Sequence, residues 1–229
     1  MKDGSVGGVI PDFYRALGKK AGCQFNFTIV PRARLEVLFS VGEADLLIAA
    51  TRSPERDKHG QFVPLFRYRA TLVAMRPSGK VIHSVDELAA RDDLRLCVVR
   101  GFDYGPAYRK LLAELDKKKR LCLATDTRQV LRMIHANLAD VSILLPSSAF
   151  ATSREDSALS GNADKLRFET LDDLPWQDAG VYVSTKSLAA PDQALLLKVL
   201  RSESASDTIM QAYESIFPDN MLKISARRL

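Results

Sequence analysis

Residues 44–56 read Ala44-Asp45-Leu46-Leu47-Ile48-Ala49-Ala50-Thr51-Arg52-Ser53-Pro54-Glu55-Arg56. The apolar run from Asp45 to Ala50 lacks period-two alternation, the pattern of a parallel strand buried on both faces. It runs into a hydroxyl (Thr51), a turn (Ser53-Pro54) and a guanidinium (Arg56), the residue types for two-point capture of a carboxylate at a sheet's carboxyl edge. On spacing alone a second reading stands beside it, in which Ser53-Pro54 only starts a surface helix turn carrying Glu55 and Arg56.

Upstream of this stretch, Arg34 to Val41 places Leu35, Leu38 and Phe39 on one side of a short helix closed by Gly42. Phe25, Phe27 and Ile29 alternate as in a strand, and Ile10 to Lys20 spaces Phe13, Ala16 and Leu17 as a helix that ends at Gly22. Downstream, Arg67 to Met75 reads as one long strand, ended by Arg76-Pro77-Ser78-Gly79, the strongest internal linker signal. Beyond that break come a capping box at Ser84-Val85-Asp86-Glu87, a strand at Leu94 to Val99, and Pro106 opening a helix over Ala107 to Leu115. A strand at Leu121 to Ala124, a helix capped by Asp126 with Val130, Met133, Ile134 and Leu138 on its apolar face, and a strand at Val141 to Leu145 complete the series.

Such alternation predicts an α/β fold with sheets covered by helices. Ser153 to Lys165 reads as an exposed loop. Gly180 to Ser184 is a returning strand, and helices follow near Asp192 to Leu200 and Ser206 to Ile216. The expected organisation is two lobes, residues 1–78 with 183–229 and residues 79–182, with a ligand cleft between them.

Composition narrows the function classes. At 229 residues, 46% hydrophobic and 27% charged, the chain is an ordinary globular sequence, which excludes disordered, collagen-like and disulfide-scaffold classes. The balance of 33 Lys+Arg against 28 Asp+Glu gives +5, but the one dense run, Lys117-Lys118-Lys119-Arg120, follows Glu114 and Asp116 as a helix end does, so no nucleic-acid partner is expected. No apolar stretch approaches the 18 or so residues that span a bilayer, and Met1-Lys2-Asp3-Gly4 has no apolar leader core, so neither membrane insertion nor a signal peptide is expected in this chain. Cys23, Cys97 and Cys122 form no C-x-x-C pair and read as buried small hydrophobes. His59, His83 and His135 match no metal spacing, and neither a P-loop, nor G-x-G-x-x-G, nor G-x-S-x-G occurs, so no metal, cofactor or local nucleophile is expected.

Several motifs in order resemble the type II periplasmic solute-binding proteins, in particular the extracellular family that serves polar amino-acid ABC transporters. Gly8-Val9-Ile10-Pro11-Asp12-Phe13 is similar to that family's first-helix opening, and Gly42-Glu43-Ala44-Asp45 to its G-x-x-D before a strand. Thr51 to Arg56 resembles the T-x-[ST]-P-E-R signature, and Phe62-Val63-Pro64-Leu65-Phe66 the turn that follows. Val98-Val99-Arg100-Gly101-Phe102-Asp103-Tyr104 is similar to the ligand loop of the second lobe, and Asn137-Leu138-Ala139-Asp140 to the G-r-v-D before a strand.

The resemblance implies that Arg56 holds a ligand carboxylate, that Thr51 adds a hydroxyl, and that the backbone at Ala49 and Ala50 lines the first-lobe wall. It further implies that Gly101, Phe102 and Asp103 meet the ligand at the start of the helix after Pro106, where free N–H groups favour an anion. Asp103 reads equally as a turn or cap former. Three departures stand out: the family's opening strand and aromatic segment have no counterpart here, Asp45 to Arg56 is one residue shorter than the usual pattern, and the acidic residue expected after the Val141 strand is replaced by Leu145-Pro146-Ser147-Ser148, read as a neutral Pro-Ser turn. An unpartnered buried ammonium is costly, so the last departure shifts the expected ligand toward carboxylates lacking a tightly held α-ammonium.

The resulting expectation is a monomeric, non-enzymatic periplasmic protein without cofactor that captures a small carboxylate-bearing solute and presents it to a membrane permease. The alternatives are a ligand-sensing domain of a membrane receptor and a cyclohexadienyl-dehydratase-like enzyme on the same scaffold, with Asp103 or Glu55 as general acid.

Overall fold

The structure is a computed structural model and describes residues 6–76, 80–159, 161 and 163–229. The chain divides into two compact units, one formed by Met1–Tyr68, Gln177–Asp219 and Ala226–Leu229, the other by Arg69–Trp176 and Asn220–Ser225. Pro77, Ser78 and Gly79 of the anticipated linker lie outside the described residues.

In the first unit the helices are α1 (Val9–Ala21) and α2 (Arg32–Val41), followed by strand β1 (Leu46–Ala50), the single-turn helix α3 (Pro54–Asp57) and strand β2 (Gly60–Tyr68). After the excursion through the second unit the chain returns as β8 (Gln177–Ser184), α8 (Ala190–Leu200), α9 (Glu203–Glu214) and the short β9 (Ala226–Arg227). Its sheet has the order β1-β8-β2-β9, with antiparallel pairing throughout. The core forms because α1 turns Phe13, Tyr14 and Leu17 inward while Phe39, Leu47, Ala50 and Tyr182 close on one another from α2, β1 and β8.

The second unit contains β3 (Thr71–Ala74), α4 (Val85–Ala90), β4 (Leu96–Val99), α5 (Pro106–Lys117), β5 (Leu121–Ala124), α6 (Thr127–His135), β6 (Val141–Leu144), α7 (Pro146–Glu155) and β7 (Arg167–Glu169). Its sheet order is β5-β4-β6-β3-β7, with β4 parallel to β5 and β6, and β3 antiparallel to β6 and β7. Local chemistry matches local structure here: Ser84 Oγ accepts from the Glu87 amide, Asp126 from the Gln129 amide, and Pro106 opens α5. The helix α10 (Asp219–Ser225) precedes β9.

Five expectations are corrected. β1 is not a parallel strand buried on both faces: it pairs antiparallel with β8, and Ile48 and Ala49 are not buried. Arg67 to Met75 is not one strand, since the chain leaves β2 at Tyr68 and enters a different sheet at Thr71. The Phe25/Phe27/Ile29 alternation forms no strand. Its residues pair with neither sheet, and Phe25 and Phe27 instead line a cavity of about 580 Å³ together with Leu35, Leu46 and Ile48. Ser153 to Lys165 is not simply an exposed loop, because α7 extends to Glu155 and Ser153, Asp156 and Leu159 are buried. Leu145-Pro146-Ser147-Ser148 is accordingly no free turn: Leu145 stands just before α7 without a capping side-chain hydrogen bond, and Pro146 opens the helix.

Candidate functional site

In the first unit, β1 delivers the chain into Thr51 and Arg52, and Ser53 caps α3 by accepting the Arg56 amide at 3.4 Å. This is a weak cap, and a second contact fixes the turn. Tyr182 Oη accepts from the Ser53 amide at 2.9 Å and donates to Asp57 Oδ1 at 2.9 Å, so one buried phenol ties both ends of α3 to the sheet. Burial pushes the Tyr182 phenol up to about 12, and the hydrogen bond from the Ser53 amide offsets this only in part.

Arg56 therefore projects from a pinned turn. Its Nη1 donates to the Thr51 carbonyl at 2.8 Å and to Thr51 Oγ1 at 3.1 Å, which joins the two residues that sequence reading singled out. Its other edge, Nε and Nη2, forks onto Glu36 of α2 at 3.1 and 2.8 Å. Glu36 Oε1 also accepts from Arg32 Nε and Nη2 at 2.9 and 2.7 Å, and Arg32 Nη1 donates to the Ile48 carbonyl at 2.9 Å and the Ala49 carbonyl at 3.3 Å. Burial lowers the Arg32 pKa, and the Glu36 charge acts against that shift.

Ala49 and Ala50 play different parts. The β1 register against β8 shifts between Leu47 and Ala50, and Ala49 is left-handed at φ 49°, a conformation that costs about 1–3 kcal/mol outside glycine. The irregularity turns the Ala49 carbonyl toward Arg32, while Ala50 is buried beside Phe39 and Tyr182 as a packing residue.

In the second unit, Gly101, Phe102 and Asp103 form the turn between β4 and α5. Gly101 has φ 87°, which favours glycine, and the Phe102 amide closes the turn onto the Val99 carbonyl at 3.2 Å. The Phe102 ring packs against the core of this unit and stands edge-on to Tyr104. Asp103 Oδ1 accepts the Gly105 amide at 2.9 Å and Oδ2 pairs with Arg109 Nη1 at 2.6 Å, so its carboxylate serves the start of α5. Asn137 is left-handed at φ 59°, and Asp140 holds Arg95 through its amide and guanidinium, so that motif fixes the start of β4.

Among the described residues, no group of three or more His, Cys, Asp or Glu side chains is placed to hold a metal. Sequence reading missed Arg32, Glu36 and Tyr182. The i, i+4 spacing of Arg32 and Glu36 was a usable signal; nothing in Gly180 to Ser184 marked Tyr182.

The family model of bacterial extracellular solute-binding proteins, family 3, matches residues 1–218. Comparison with curated protein sequences returns no match. Among solved structures, an ancestral arginine-binding protein bound to arginine superposes with a TM-score of 0.73 at 17% identity, covering 95% of this chain and 91% of that one. An amino acid ABC transporter substrate-binding protein from Streptococcus pneumoniae bound to L-arginine gives 0.71 at 14% identity, over 92% and 83%. A histidine kinase sensor domain with similarity to periplasmic binding proteins gives 0.70 at 17% identity, over 94% and 88%. These likenesses show the periplasmic-binding-protein-like fold, and the family match over residues 1–218 places this chain among the bacterial extracellular solute-binding proteins of family 3.

Proposed function

We propose that this chain is a non-catalytic periplasmic binding protein that captures a small carboxylate-bearing solute, an amino acid or a related organic acid, and presents it to the permease of an ABC transporter. The observation that carries this reading is the Arg56 guanidinium, largely buried and aimed by two hydrogen bonds to Thr51 at the end of β1. A positioned, poorly hydrated guanidinium is the side chain best suited to a carboxylate. The amino-acid-binding proteins that share the fold support the solute class.

The test is a thermal-shift screen against amino acids and their 2-keto counterparts. A ligand at 100 times its Kd stabilises the folded chain by about 2.7 kcal/mol. With the ligand so found, Arg56→Ala is expected to weaken binding about ten- to a hundredfold by calorimetry while the chain stays folded, the range for a lost charge-assisted contact. Unchanged affinity removes Arg56 from the site.

A second reading, a ligand-sensing domain of a membrane receptor, is favoured by the histidine kinase sensor domain of the same fold. Stimulation of a permease ATPase in vesicles by the ligand-loaded protein separates the two: a transport partner stimulates it and a sensor does not.

A further inference from the structure

The Arg56 guanidinium offers five N–H groups, and four are engaged within the chain: two by Thr51 and two by Glu36. The Nε/Nη2 edge, which presents two parallel donors to a carboxylate, already holds one. Glu36 comes from α2, is about one-quarter exposed, and meets Arg56 with the fork geometry an external carboxylate would adopt. An incoming carboxylate therefore finds a single free N–H on Arg56 and cannot bind at two points without removing Glu36.

Glu36 has another place to go. Its Oε1 is also held by Arg32 through Nε and Nη2, and Arg32 is fixed to β1 through the Ile48 and Ala49 carbonyls. Release from Arg56 would leave the Glu36 carboxylate paired with a positioned guanidinium, so its charge is not stranded. Two guanidiniums share one carboxylate here, leaving one net positive charge for an arriving anion to neutralise.

We propose that Glu36 is a built-in carboxylate that occupies the ligand-receiving edge of Arg56, and that a solute carboxylate binds by exchanging with it while Glu36 withdraws onto Arg32. Glu36 thereby sets the affinity of the receptor. This rests on Arg56 being the carboxylate receptor.

The experiment uses the whole chain and acetate, the simplest carboxylate, titrated at constant ionic strength while the Arg56 Nε–H and the Glu36 carboxyl carbon are followed by NMR. In the unsubstituted protein both resonances are expected to move with one shared midpoint, since one carboxylate replaces the other. Glu36→Gln removes the competing charge and is expected to tighten acetate about tenfold, the difference between charged and neutral partners on one guanidinium edge. Arg32→Gln removes the place to which Glu36 withdraws and is expected to weaken acetate. Should Glu36→Gln fold and bind acetate no more tightly, or should Arg56 respond while Glu36 does not, the exchange is wrong. If Glu36→Gln does not fold, the paired titration in the unsubstituted protein decides alone, and absence of any Arg56 response there overturns the proposal. The thermal-shift screen is read separately: ligands that bind and depend on Arg56 keep the functional reading alive even if acetate shows no exchange.

Discussion

The turns at Thr51–Arg56 and Gly101–Asp103 follow strands of different units and are built on opposite principles. The first is held from a distance: Tyr182 lies more than 120 positions along the chain from Ser53 and Asp57, and Glu36 twenty before Arg56. The second is held by its neighbours, through Val99, Gly105 and Arg109. A turn fixed by non-local buried contacts keeps its geometry only while the sheet beneath is intact. A turn fixed locally is largely independent of it, and it is also the one that sequence can describe.

The comparison breaks most readily at Tyr182. Tyr182→Ala empties a fully buried position and releases both ends of α3, with an expected loss of about 3–5 kcal/mol in urea unfolding, the range for large aromatic truncations, and loss of ligand binding with it. If the variant binds ligand with unchanged affinity, the distant tether does not govern the first turn. Next in size is Gly180→Ala. A Cβ there would lie 2.0 Å from the Val63 carbonyl oxygen, so β2 and β8 must separate, at an expected cost of about 1–3 kcal/mol; a neutral result would mean that the pairing yields freely.

Asp103→Asn sharpens the other side. Its partner Arg109 is well exposed, so the stability change should stay below about 1 kcal/mol. The same variant, tested with one amino acid and its 2-keto analogue, should weaken only the amino acid if Asp103 meets an ammonium. A wild-type preference above about tenfold, some 1.4 kcal/mol, that survives the substitution would point to another acidic group.

The smallest effect concerns acid. Hydrogen bonds from Arg132 and Arg95 hold the Asp156 and Asp140 carboxyls below their usual range. Their folded pKa values are depressed, so the unfolded chain binds more protons. The stability they add is present above about pH 3.9 and is lost as pH falls through the folded values. Asp156→Asn should flatten the acid limb of a stability-against-pH curve, and an unchanged limb would assign the acid sensitivity elsewhere.

How much of this was legible in the sequence follows from the same contrast. The second unit was readable because its caps and strands are local: Ser84, Pro106 and Asp126 each do what their positions imply. In the first unit the sequence singled out Thr51 and Arg56, but neither their mutual contact nor what surrounds them. Glu36 and Tyr182 act through the approach of α2 and β8, which no spacing near residue 56 reports. Phe25, Phe27 and Ile29 misled because alternation shows that a segment suits a sheet, whereas a strand also needs a neighbour whose backbone is within reach. Leu145 to Ser148 misled because Pro-Ser reads equally as a turn or as the first turn of a helix.

Arg32 has one more consequence. Among the described residues β1 is the outermost strand of its sheet, and an outer strand presents unpaired backbone groups on which a second molecule can add a strand of its own. The guanidinium that covers the Ile48 and Ala49 carbonyls takes up acceptors such an addition would need. The guanidinium that steadies Glu36 thus also occupies backbone acceptors on the outer strand, so one side chain serves both the anion receptor and the rim of the sheet.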